Sequence, residues 1–175
     1  MNFQTQTKDS LIKEMDEHLF NWAIGDIEQA SIKGNAKLAG FILCVCFLDA
    51  VAGFYAGVNK EEVKHGSGIR FKNFVNKYLK QYGSEKLYID LRCGLVHSYA
   101  EGGTYVFTDG NKDGKHFDRT PRGKILLNLE DFFEDVKKAY CSYRDDIMKD
   151  KSLYDKAKRR YFSLKLMMPK KFQDS

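Results

Sequence analysis

Tyr88-Ile-Asp-Leu-Arg-Cys-Gly-Leu-Val-His-Ser-Tyr99 is the stretch on which the reading of the fold turns. Leu87, Leu91, Leu95 and Tyr99 recur every fourth residue, with Ile89 and Val96 beside them. That is the period of an amphipathic helix with a narrow apolar face. Arg92 and His97 are five residues apart, about 140° around a regular helix axis. They do not stack at that angle, but the long Arg side chain lets both heads reach one groove beside the stripe. Gly94 lies between them and costs roughly 1 kcal/mol against Ala in a helix interior. It suits a place where another backbone or a phosphate comes close.

The flanking sequence extends the helical pattern in both directions. A first helix is expected from Asp9 or Ser10, either of which can cap it, to a stop at Gly34. Its apolar face is Leu11, Ile12, Met15, Leu19, Trp22, Ala23, Ile27 and Ala30. A second, from about Asn35 to Tyr55, is apolar nearly all round, which marks the centre of a bundle. Residues 57–68 form a polar connection. A third helix runs from about Ile69 to Tyr82 with Phe71, Phe74, Val75, Tyr78 and Leu79 inward, and Gly83 stops it. Ser84 caps the fourth, which carries the opening stretch and ends near Ala100.

The period then drops to two. Thr104–Thr108 and Lys124–Asn128 read as strands, Asp109–Gly114 as a turn, and His116–Gly123 as a third short strand or a loop. A small antiparallel hairpin inserted at about 104–128 is the expectation. Asn128, with Asp131 three residues on, caps a fifth helix. A last helix, from Ser152 to about Met167, puts Tyr154, Ala157, Tyr161 and Leu164 on one side and Lys156, Arg159 and Arg160 on the other. The predicted fold is mainly α. It is a single bundle of five to six helices with a β-hairpin insertion, spanning residues 1–168, with 169–175 as a tail.

Composition agrees with one folded domain. The 175 residues are 43% hydrophobic and 14% aromatic, which excludes a disordered chain. The net charge of +5 is uneven, because residues 149–175 hold nine Lys or Arg against three Asp. A basic end on a nearly neutral body points to an acidic partner such as nucleic acid, with Lys156, Lys158, Arg159 and Arg160 as the contacts. Cys44, Cys46, Cys93 and Cys141 make no zinc-type pair of pairs and read as reduced thiols in a cytoplasmic protein. The N-terminus lacks a signal pattern. The most apolar segment, 38–58, is interrupted by Asp49 and three glycines, so a core helix is expected there and no membrane span.

Two motifs fall away on inspection. Asp109, Asn111, Asp113 and Gly114 open like a calcium loop, but Thr120 stands where a bidentate Glu is required. His18, His65 and His116 are scattered, and no metal or cofactor site is expected. Asp49 is a stronger signal, as the only acid between Gln29 and Lys60. A carboxylate in the most apolar helix must find a partner, and Arg92 or His97 on a neighbouring helix would serve. In such a constellation Arg92 binds a phosphate and stabilises added charge, and His97 moves the proton. One His does not easily act as base and acid together, whereas two copies of this helix facing each other supply both.

Arg92-Cys-Gly-Leu-Val-His97 resembles the Arg-x4-6-His motif of the HEPN superfamily, all-helical domains of RNases, toxins and defence systems. The context Leu-Arg-x-Gly-Leu-Val-His-Ser-Tyr, late in a helix that follows three others, carries the resemblance, together with the aromatic-rich Arg70–Tyr78 helix before it. The resemblance implies a metal-independent endoribonuclease acting on single-stranded RNA, in which the ribose 2′-hydroxyl attacks its own phosphate and leaves a 2′,3′-cyclic end. It implies a homodimeric site built from Arg92 and His97 of both copies; Asp49, singled out by its place in the apolar helix, is expected beside them as a supporting carboxylate. Some toxins of the family pair with a nucleotidyltransferase-type antitoxin. A second reading comes from another class: a non-catalytic HEPN-like module that binds nucleotide, RNA or a protein partner. Cys93, where a polar residue usually follows that Arg, points that way.

Overall fold

The computed structural model describes residues 7–58, 66–99, 103–110 and 116–164. Six helices are present among them, as the apolar periodicity predicts. Helix α1 (8–33) begins on Thr7, whose Oγ1 accepts from the Ser10 N–H at 3.2 Å. The cap is thus two to three residues earlier than Asp9 or Ser10. Helix α2 (Lys37–Ala56) buries Phe41, Cys44, Val45, Leu48, Val51, Ala52 and Phe54. It packs against all five other helices, as an all-round apolar helix must. Burial pushes the Cys44 thiol up to about 12, and all four cysteines are free. By length and composition α2 would also suit a membrane span, yet 56% of its most apolar window is buried by the rest of the bundle.

Helix α3 (Ser67–Tyr78) is followed by a single tight turn, Lys80–Tyr82. Helix α4 (84–98) carries the opening stretch and stops where Tyr99 turns left-handed at φ 51°. Gly68 lets α4 approach α3 closely, because a Cβ there would sit 2.8 Å from the Tyr88 ring. Helix α5 (Leu129–Lys149) starts on Asn128, whose side chain accepts from the Asp131 N–H at 3.2 Å. Helix α6 (Lys151–Ser163) starts on Asp150. Phe74 and Tyr78 of α3, Tyr55 of α2 and Tyr143 of α5 meet with ring centroids 4.8–5.9 Å apart, mostly edge to face. The Tyr143 hydroxyl is buried there with no partner among the described residues.

The inserted sheet differs from expectation. Strands β1 (Tyr105–Thr108) and β2 (Ile125–Asn128) are parallel, with Tyr105 opposite Ile125 and Thr108 opposite Asn128. The antiparallel partner of β2 is instead the 117–120 segment. Phe117 N–H donates to Leu126 O at 2.9 Å, Leu126 N–H to Asp118 O at 2.8 Å, and Arg119 bridges Ile125. The chain between the strands turns twice, so β1 lies along the other edge of β2 and runs the same way. Alternation of residues predicts strands but is blind to how often the connection reverses. Asp90 of α4, 5% exposed, accepts from the Thr104 N–H at 2.8 Å and fastens the insertion to the bundle. Much of the predicted Asp109–Gly114 turn, most of the 57–68 connection, the predicted end of α4 at Ala100 and the 169–175 tail lie outside the described residues.

His116 seals this corner. Its Nδ1 accepts from the Asn128 N–H at 3.1 Å, so the proton sits on Nε2 and donates to the Tyr82 hydroxyl at 3.1 Å. Tyr82 donates in turn to Asp135 at 2.9 Å. Burial lowers His116 below the usual imidazole value, against the opposing pull of Asp131 and Asp135. The unfolded chain therefore binds the extra proton first. The contribution to stability is full above pH about 6.5 and is lost as pH falls from there through the lowered folded value. Replacing His116 by Gln is expected to flatten the unfolding midpoint between pH of about 7 and 5, since the carboxylates are common to both proteins. Parallel midpoint-against-pH curves for the two proteins count against this account.

Candidate functional site

The local winding of α4 decides what its two polar heads can do. Residues Leu87–Leu95 are wound wider than an α-helix, with the Val96 N–H reaching Leu91 O five residues back. The same i→i+5 winding occupies Asp16–Ile24 and Glu28–Lys33 of α1, so it does not by itself mark a site. It places residues five apart one above the other. Arg92 Nη1 and His97 Nε2 accordingly lie 2.9 Å apart. The regular 3.6-residue repeat put them about 140° apart and out of contact; the wider turn removes that separation.

The contact fixes a protonation state. Arg has donors only, so Nε2 of His97 must accept and the imidazole is neutral with its proton on Nδ1. The other arm of the guanidinium is occupied too, for Arg92 Nε donates to Asp49 Oδ2 at 2.9 Å. The Asp49 and Arg92 side chains are 25% and 20% exposed. They are half-buried, wetter than a carboxylate sealed in a core. His97 is exposed, at the edge of the site. Asp49, Arg92 and His97, drawn from α2 and α4, form one continuous hydrogen-bonded row.

The row borders a groove of about 300 Å³ between α2, α3, α4 and α6. Asp49, Gly53, Arg70, Arg92 and Arg160 are among the residues that line it. Among the described residues its lining carries three guanidinium groups and one carboxylate. Arg160 is 8% exposed, and its Nε is buried with no partner among the described residues. Its Nη1 donates to Val58 O at 3.3 Å. Burial first, and then the charge of Arg70, lower Arg160 below the ordinary guanidinium value, while Asp49 pulls it back up. Gly53 makes room for it, since a Cβ there would stand 3.3 Å from Arg160 Nε.

The four basic residues assigned to the last helix therefore separate. Arg160 belongs to the inner face with Leu153 and Ala157, which corrects its predicted outward position. The spacing 153, 157, 160 was the available signal, with a charge standing in an otherwise apolar helical row. Lys156 and Arg159 border a different, open depression of about 490 Å³ with Lys151, Ser152 and Asp155. The Arg159 Nε donates to Gly57 O at the end of α2. Lys158 lies over the Tyr154 ring, 5.8 Å from its centroid. Arg70 carried no site signal in the sequence, because on its own helix it stands simply as a cation among Phe71, Phe74 and Val75.

Among the described residues no group of His, Cys, Asp and Glu could hold a metal ion. The chemistry available is anion binding by guanidinium groups, with a neutral imidazole nitrogen at the edge to accept a proton. No protein family, curated protein or solved structure matches the chain.

Proposed function

We propose that the protein is a metal-independent, cytoplasmic endoribonuclease that cleaves single-stranded RNA through Arg92 and His97. The row Asp49–Arg92–His97 at the edge of an arginine-lined groove carries this reading. A phosphodiester entering the groove takes over the Arg92 Nη1 donor, and His97 Nε2 is released with its lone pair. That nitrogen accepts the proton of the ribose 2′-hydroxyl as the 2′-oxygen bonds to phosphorus. Arg92 stabilises the added charge on the pentavalent phosphorus. The bond from phosphorus to the 5′-oxygen breaks, and that oxygen takes up a proton. The products are a 2′,3′-cyclic phosphate and a 5′-hydroxyl. Asp49 holds the guanidinium in plane through Nε and acts as a positioning residue. The leaving-group proton comes from His97 of a second copy, which enters the step as the imidazolium with its own Arg92 contact broken, in a homodimer joined through α4.

The test uses labelled single-stranded RNA incubated in EDTA with wild-type protein and with His97→Ala. Wild type is expected to yield fragments with 2′,3′-cyclic ends. The variant is expected to lose about 10²- to 10⁴-fold in rate, the usual worth of a general acid or base. Binding without cleavage by wild type would replace this reading with the binding module, which the capped His97 nitrogen favours.

A further inference from the structure

We infer that Arg160, together with Arg70, forms a second phosphate seat in the groove, taking the RNA phosphate next to the one held by Arg92. The inference rests on the reading of Arg92 as an RNA-phosphate ligand, and not on cleavage. A guanidinium that is 8% exposed and whose Nε has no partner among the described residues is costly unless a counter-charge arrives. Asp49, the carboxylate among the described residues lining the groove, is already engaged by Arg92. Gly53 offers Arg160 a bare backbone surface instead of an acid or a ring to stack on. The group is also held still. Its own Nη1 donates to Val58 O, and the adjacent Arg159 is tied to Gly57 O, so α6 is latched to the end of α2. A fixed, charged, under-satisfied donor is preorganised for an anion with several acceptor oxygens. The groove's 300 Å³ is about ten times the share of one water, ample for a phosphodiester. Because Arg92 opens into the same groove, an RNA strand with one phosphate on Arg92 has a neighbouring phosphate to place.

The experiment measures binding of single-stranded 2′-O-methyl RNA, which lacks the nucleophile, to full-length wild type, Arg160→Gln and Gly53→Ala across a salt series. Arg160→Gln is expected to bind roughly tenfold more weakly near 0.1 M salt. The slope of log K against log salt should become shallower by about 0.7, the value of one single-strand phosphate contact. Gly53→Ala keeps the charge but makes the guanidinium give way by a few tenths of an ångström, and should weaken binding in the same direction. Equal affinities and slopes in all three proteins overturn the proposal. So does weaker binding by Arg160→Gln at an unchanged slope, which marks a purely structural role. A nucleoside 5′-monophosphate is titrated in parallel. Arg160-dependent binding of that compound without the oligomer overturns the RNA assignment in favour of a terminal phosphate. Arg160-dependent binding of the methylated RNA by a protein that cleaves no ordinary RNA leaves the seat standing and removes the nuclease reading.

Discussion

Arg92→Ala and Arg92→Lys are both expected to lose about 10²- to 10³-fold in the single-turnover rate of RNA cleavage, with lysine giving little rescue. The two arms of the guanidinium explain why. Nε is fixed by Asp49 and Nη1 points at His97, both at 2.9 Å. A lysine ammonium is one compact charge on a flexible stem and cannot hold the Asp49 contact while presenting a second donor to the phosphate and the imidazole. The charge survives in Arg92→Lys, so the affinity for uncleavable RNA should fall by less than about tenfold while the rate collapses. Matching rates for Arg92→Lys and wild type would show that Arg92 acts as a bulk cation, and the row would lose its mechanistic meaning.

Phe74→Ala is expected to destabilise the bundle by about 3–5 kcal/mol. Phe74 is fully buried on α3 and faces the rings of Tyr55, Tyr78 and Tyr143. Its removal opens a cavity where α2, α3 and α5 meet and loses three ring contacts at once. Against a total stability of about 5–15 kcal/mol, that is a large fraction. For a chain of this size the midpoint of thermal unfolding should fall by roughly 6–20 °C. Urea unfolding of the two proteins measures it directly. A loss below about 1 kcal/mol would mean the ring cluster is loosely packed.

Much of the bundle was legible because its signals are local and redundant. Gly34, Gly83 and Asn128 mark ends or starts that periodicity alone leaves blurred, and the all-apolar 37–56 stretch declares itself central. The sheet was legible as strands but not as a topology. Register and direction depend on a connection whose turns leave little trace in alternation. The site was half legible. Asp49 stood out as a charge in an apolar helix, and Arg92 and His97 as a pair. Their contact could not be foreseen, because side-chain periodicity assumes the regular turn and carries no mark of a wider one. Arg160 was read outward because four cations in five positions, Lys156, Lys158, Arg159 and Arg160, dominate the apolar spacing beneath them. Arg70 becomes visible only when four helices are assembled.

The wide turn of α4 ties two quantities that are normally independent, the number of residues between the two heads and the pitch of the coil that carries them. In an ordinary α-turn, side chains four apart face each other; here it is residues five apart that do. Keeping the spacer of five while the coil tightens to the common form swings the imidazole about 140° around the axis from the guanidinium. Shortening the spacer by one as the coil tightens brings them back together. A designer transplanting this pair to another scaffold must therefore carry the pitch along with the letters, or drop one letter on the way.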